Sequence, residues 1–132
     1  MGNRLTQIAT RTGDDGTTGL VGGSRIAKSA PLMAAIGDVD EANSWVGVAV
    51  AALESASDAA AMLARIQNEL FDLGADLATP ADIQFGFGPH DMALRIVPSQ
   101  IARLEDEIDR MNDDLDALKS FILPGGTDAA AR

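Results

Sequence analysis

Apolar residues recur every three or four positions along three long stretches of the chain, and that repeat restricts the fold more than any other feature. Leu32, Ile36, Val39, Asn43, Val46, Val50 and Leu53 make the first stripe, and Leu63, Ile66, Leu70, Leu73 and Leu77 the second. Ile101, Leu104, Ile108, Met111, Leu115, Leu118 and Ile122 make the third. Such spacing puts each set on one face of a helix, and one-sided helices bury those faces by packing together. Boundary residues agree with the stripes. Pro31 suits the first turn of one helix, Ser57 or Asp58 the cap of the next, and Pro80 a stop beyond it. Pro98 and Ser99 suit the start of the third. The sequence therefore predicts an all-α, up-down helical bundle: a single domain over residues 1–132, with an irregular arm over 1–29 and helices over 30–132. Aromatic residues are only 4% of the chain, so its core is built from Leu, Ile, Val, Met and Ala.

Residues 80–97 contain Gly86, Gly88 and Pro89 and read as a long flexible connection. After the third stripe, Pro124-Gly125-Gly126 is a turn, Thr127 a good N-cap, and Asp128 a favourable charge at the positive end of a helix dipole. Ala129 to Ala131 then begin a helix that the chain leaves after one turn, which gains almost nothing in water. Three striped helices also leave a groove for a fourth. The expectation is a bundle whose C-terminal helices are missing.

The formal net charge of −10 argues against nucleic acid or an anionic membrane as the main partner. No stretch reaches the ~18 consecutive apolar residues of a membrane span, and no secretory signal opens the chain, so a cytoplasmic protein is expected. Absence of cysteine excludes disulfides, thiolate metal sites and cysteine nucleophiles. The single histidine, His90, follows Gly88-Pro89 in a loop, and no Glu-x-x-His pair exists. Di-iron, zinc and triad-hydrolase chemistry lack their ligands, and no metal site is expected from side chains. Charge is uneven, however. Arg4, Arg11, Arg25 and Lys28 face only Asp14 and Asp15 within residues 1–30, whereas the remainder carries six basic and eighteen acidic groups. A basic, Gly- and Thr-rich arm on an acidic protein either binds a small polyanion or is a solvated tail.

Three segments could carry chemistry. Thr10-Arg11-Thr12-Gly13-Asp14-Asp15-Gly16-Thr17-Thr18-Gly19, with Arg25 and Lys28, combines glycines that let backbone N–H groups approach an anion, hydroxyl donors, and cationic groups for a triphosphate. It is not a Walker A loop, and a mobile loop explains it as well. Gly37-Asp38-Val39-Asp40-Glu41-Ala42-Asn43-Ser44 crowds three acids, an amide and a hydroxyl into two turns of an apolar helix. Asn43 falls on the stripe itself, where a buried amide can fix helix register. Asp40 shares one side of that helix with Asn43 and, if buried, needs a cationic partner. Phe121-Ile122-Leu123-Pro124-Gly125-Gly126 closes the third stripe and alone reads as an apolar helix end with a turn.

Taken in order, these segments resemble the ATP:cob(I)alamin adenosyltransferases of the propanediol-utilisation type, a ferritin-like helical family. Thr10 to Leu20 with Arg25 and Lys28 is similar to the family's N-terminal ATP loop, and Gly37 to Ser44 to its G-x-x-D-E-L-N-S helix. Gln67 and Leu70-Phe71-Asp72-Leu73-Gly74-Ala75-Asp76-Leu77 resemble the second helix. Leu104-Glu105, Ile108-Asp109, Asn112 and Phe121 to Gly126 resemble the third helix and its turn. The resemblance covers only the N-terminal two thirds of the family; an Arg- and Glu-rich helix and one further helix would follow. It implies a homotrimer holding ATP with Mg²⁺ and a corrinoid, and transfer of the 5′-deoxyadenosyl group to Co(I) with release of triphosphate. Thr10 to Gly19, Arg25, Lys28 and Asn43 would bind the nucleotide. Phe121 would press on the lower corrin face, and Asp40 would face an arginine of a neighbouring subunit. Ala42 and Asp116 depart from the family's usual leucine and proline. An unpaired, buried Asp40 would cost about 3–5 kcal/mol. The second reading is a catalytically impaired helical binding or assembly module.

Overall fold

A computed structural model describes residues 9–54, 57–84 and 93–131, and His90 lies outside them. Three helices dominate: α1 (Pro31–Ala51), α2 (Asp58–Leu77) and α3 (Pro98–Asn112). Each begins where the sequence places it. Pro31 and Pro98 open their helices behind extended Ala30 and Val97, because proline's fixed φ suits a first turn and its missing N–H costs nothing there. The Ser57 hydroxyl accepts from Ala60 N at 3.2 Å and caps α2. Gln100 Oε1 accepts from Val97 N at 2.9 Å and does the same service at α3.

α1 and α2 pack antiparallel, and a reciprocal amide pair sets their register. Asn43 Nδ2 donates to Gln67 O at 3.1 Å, while Gln67 Nε2 donates to Asn43 O at 3.1 Å. Asn43 is 5% exposed. Gly47 lies one turn further along α1, and a Cβ there would stand 2.8 Å from Gln67 Nε2. The glycine thus leaves room for the glutamine to cross onto α1.

Charge, rather than apolar packing, joins α3 to α2. Arg65 donates to both carboxylate oxygens of Glu107 at 2.5 and 2.6 Å, and Arg103 pairs with Glu69. Pairing 65 with 107 and 69 with 103 makes these two helices antiparallel as well, in keeping with the predicted up-down order. The apolar stripe of α3 is left open to solvent: Ile101, Ile108 and Met111 are 55%, 54% and 47% exposed.

Two features differ from the sequence reading. The third helix stops at Asn112 instead of running to Ile122. Asp109, Asp113, Asp114 and Asp116 crowd negative charge onto the negative end of the helix dipole, and aspartate is a poor helix former. Leu115, Leu118 and Ile122 find no cover that would outweigh this, and are 68–74% exposed. Pro124-Gly125-Gly126 does turn, with Gly126 at φ 97°, and Thr127 caps a single turn by accepting from Ala130 N at 3.2 Å.

The second difference is a hairpin inside the arm. Strands β1 (Thr17–Gly19) and β2 (Arg25–Ala27) pair antiparallel, Thr18 opposite Ile26. At three residues each they are too short to show alternation in sequence. Their connection requires the left-handed region at Gly22 (φ 85°) and Gly23 (φ 90°), which only glycine enters freely. This turn meets the end of α2, where Val21 N donates to Ala78 O at 3.0 Å.

Residues 93–97 return to that same place. Arg95 spreads its guanidinium over Asp76 Oδ1 (2.7 Å), Thr79 O (2.9 Å), Pro80 O (2.8 Å) and Ile83 O (3.2 Å). Asp76 Oδ2 accepts from Ile96 N at 2.8 Å. The guanidinium stands at the negative end of α2, where a cation is favoured.

The backbone N–H of Ile96, and then Arg95, hold the Asp76 carboxyl below its ordinary 3.8. Its contribution to stability is therefore complete above 3.8 and is lost as pH falls through the lower folded-state value. Asp76→Asn is expected to lower the thermal midpoint at neutral pH, with the gap to wild type closing in acid; melts across pH measure this. Asn43→Ala removes the bond from Nδ2 to Gln67 O, while the Gln67 amide keeps its main-chain acceptor, and should cost about 0.5–1.5 kcal/mol in urea unfolding.

Candidate functional site

The Gly- and Thr-rich stretch closes into one small structure around β1 and β2. Arg25 lies at its centre: Nε donates to Thr17 Oγ1 at 2.9 Å, and Nη2 to Thr12 O at 2.9 Å and Thr17 O at 3.2 Å. Asp15 Oδ1 accepts from Thr17 N at 2.9 Å and Thr17 Oγ1 at 2.8 Å, and stands 3.7 Å from Arg25 Nη2. Those bonds, the Thr17 backbone N–H foremost and Arg25 adding to them, hold the Asp15 carboxyl below its usual value. It stays ionised, and Arg25 offsets its charge beside the loop.

Lys28 is the cation positioned to do more. Its N–H donates to Gly16 O at 2.9 Å, which folds the end of β2 back over the loop. Gly13 lies beneath its side chain: a Cβ there would meet Lys28 Cε, Lys28 Nζ and Thr17 O, each at 2.9 Å. Only glycine leaves room for the ammonium to lie so close. Among the described residues Lys28 Nζ has no ion pair, whereas Arg25 is committed to the loop's own oxygens. Thr12 Oγ1 donates to Thr10 Oγ1 at 2.9 Å. Arg11 turns the chain at φ 58°, and Asp14 N donates back to Arg11 O at 3.2 Å. Gly16 also requires a positive φ, 83°. Thr18 and Gly19 lie within β1. The structure thus gathers Thr10 to Gly19, Arg25 and Lys28 as one unit.

Asp40 and Asn43 lie elsewhere, along a groove of about 400 Å³ between α1 and α2 that Met33, Gly37, Phe71 and Gly74 also line. Asp40 is exposed in this chain, so the burial penalty raised from the sequence is not incurred. Asn43 Oδ1 is buried without a hydrogen bond among the described residues, its amide nitrogen being given to Gln67. Phe121 is apart from both, fully exposed at 106%. No group of three potential metal-ligating side chains occurs among the described residues. Likewise none of the described helices is long and apolar enough to cross a membrane.

Sequence reasoning passed over Arg95 and Asp76, which frame the seat of the hairpin. No local pattern marks them, because each acts on a segment some twenty residues away in sequence.

The fold is a three-helix antiparallel arrangement carrying an N-terminal Gly/Thr-rich hairpin, with a lysine laid over its loop. The sequence model of the family described as cobalamin adenosyltransferase matches residues 8–132, and the chain belongs to that family. It is 48% identical over 131 residues to a corrinoid adenosyltransferase of Mycobacterium tuberculosis, covering 99% of this chain and 66% of the relative. A cobalamin adenosyltransferase of Cupriavidus metallidurans is 46% identical over 132 residues, covering 100% of this chain and 66% of the relative. Among solved structures, a variant of a PduO-type ATP:corrinoid adenosyltransferase from Lactobacillus reuteri, complexed with cobalamin and ATP, superimposes with a TM-score of 0.77 at 39% identity. That match covers 95% of this chain and 67% of the other. The chain therefore spans about two thirds of the length of these relatives.

Proposed function

We propose that this chain is the N-terminal part of an enzyme that transfers the 5′-deoxyadenosyl group of ATP to the cobalt of a corrinoid. The observation that carries the reading is the Lys28 ammonium lying over Gly13, in the loop that also carries Thr10, Thr12 and Thr17. An ammonium, small backbone and short hydroxyls suit a triphosphate. Lys28 neutralises the leaving charge, while Arg25 keeps the loop closed. The oxygen donors here are hydroxyls and the carboxylates of Asp14 and Asp15. They fit a Mg²⁺ bound chiefly through phosphate and water, as that ion prefers, rather than one in an all-protein cage.

In the reaction, the Co(I) electron pair attacks C5′ of ATP, the C5′–O bond breaks, and triphosphate leaves with that bond's electrons. Cobalt is the nucleophile, so the chain needs no serine, cysteine or histidine. The protein's part is positioning. Phe121 presses on the lower corrin face and keeps other ligands off cobalt, and its full exposure leaves it available for that contact. Asn43 places the helix that carries Asp40, and Asp40 meets an arginine of a neighbouring subunit in a homotrimer. ATP as co-substrate implies the cytoplasm. The continuous family match over residues 8–132 supports one domain.

An anaerobic assay that follows Co(I) absorbance on adding ATP and Mg²⁺ tests the reading. ATP-dependent conversion to the adenosyl form supports it. A folded chain inert both alone and with its downstream coding sequence restored would favour the binding-module alternative. Within that assay, Lys28→Ala is expected to weaken ATP about 10- to 100-fold, the ~1.5–3 kcal/mol of a charge-assisted hydrogen bond, with helicity unchanged. Phe121→Ala should slow adenosylation from Co(II) far more than from prereduced Co(I).

A further inference from the structure

Among the described residues, Val21 N to Ala78 O, at 3.0 Å, is the one hydrogen bond between the hairpin turn and the chain that follows α2. Beside it, Ile83 reaches under the turn: a Cβ on Gly22 would lie 2.8 Å from Ile83 Cδ1. The hairpin therefore rests on a short ledge, residues 78–83, just past the end of α2. Its start is held by α2: Ala78 N donates to Gly74 O and Thr79 N to Asp76 O, each at 3.0 Å, and Thr79 Oγ1 to Ala75 O at 2.6 Å. Beyond that, only Ile83 N to Pro80 O, at 3.0 Å, joins the ledge to itself. The carbonyls of Thr79, Pro80 and Ile83 all converge on the Arg95 guanidinium, which Asp76 Oδ1 fixes at 2.7 Å. Asp76 Oδ2 in turn takes the N–H of Ile96, so the segment bringing Arg95 is fixed as well.

We propose that Arg95 and Asp76 are positioning residues for the Thr10–Gly19 loop, acting through the ledge on which the hairpin turn rests. Neither touches the loop. Arg95 shapes residues 79–83, Ile83 among them seats Gly22 next to the Val21–Ala78 bond, and β1 and β2 carry the placement to Gly13 and Lys28. A planar fork with five N–H donors can serve three carbonyls and a carboxylate together, whereas a lysine ammonium has three donors and no fixed plane. As a claim about nucleotide binding the inference rests on the ATP reading of the loop; as a claim about what holds the hairpin it does not.

Amide hydrogen exchange on the whole chain, with ATP and corrinoid titrations alongside, tests it in Arg95→Gln, Arg95→Lys and Ile83→Ala. Exchange at Val21 N should accelerate about tenfold or more in Arg95→Gln and Ile83→Ala, without change at the α1–α2 interface. Arg95→Lys should fail to restore it, although it keeps the charge beside Asp76. ATP affinity should fall about tenfold in the same variants while corrinoid affinity holds. Unchanged Val21 protection in both Arg95→Gln and Ile83→Ala would overturn the proposal. So would ATP and corrinoid affinity falling together with helicity, the mark of general destabilisation. Should the wild-type chain bind no ATP, the reading of the loop falls instead, and the exchange data still decide what holds the hairpin.

Discussion

The amides of Asn43 and Gln67 each donate to the other's main-chain carbonyl, and everything placed on α1 and α2 inherits its position from that exchange. A helical carbonyl already serves its own helix but has a second lone pair, so the cross-link costs neither helix a bond. Sliding α1 by one turn would put the Cβ of Asn43 or Ala51 where Gly47 now leaves space, against the Gln67 amide. Apolar stripes alone do not discriminate so sharply, since each turn of a stripe looks much like the next. Gly47 completes the arrangement by leaving the space that Gln67 crosses. The Asp40 groove between the two helices exists in its present form because the register is fixed.

From that pair outward the dependence runs in one direction. The register of α2 fixes where its C-terminal end lies; residues 78–83 continue from there; the hairpin turn rests on them. At the far end of this series the loop is held by its own contacts, chiefly the Arg25 guanidinium on Thr12 O, Thr17 O and Thr17 Oγ1. One arginine is thus spent on the shape of the loop while a lysine is left without an ion pair among the described residues, a division that composition alone does not reveal.

Much of this was legible in the sequence, for local reasons. Periodicity marked the three helices, and Pro31, Ser57 and Pro98 fixed their starts, since caps are written within a few residues. Asn43 on an apolar stripe left two readings open, a nucleotide contact and an amide that fixes register, and its bond to Gln67 O agrees with the second. Other features depend on pairings between distant segments, which one-dimensional spacing does not encode. Arg95 looks like any loop arginine until residues 76–83 are beside it. The hairpin escaped notice because three-residue strands carry too little alternation. The third stripe failed differently: its period is real through Ile122, but Asp113, Asp114 and Asp116 oppose the helix dipole and end α3 at Asn112.

The two crossed ion pairs between α2 and α3 have a consequence for how the chain comes apart. Arg65–Glu107 and Arg103–Glu69 join helices whose apolar side chains do not meet deeply, so little hydrophobic area couples them. Both carboxylates are largely covered, so salt screens these pairs weakly. Attachment of the third helix therefore hangs on two arginine side chains, and loss of either would loosen that helix without touching the amide exchange that joins α1 to α2.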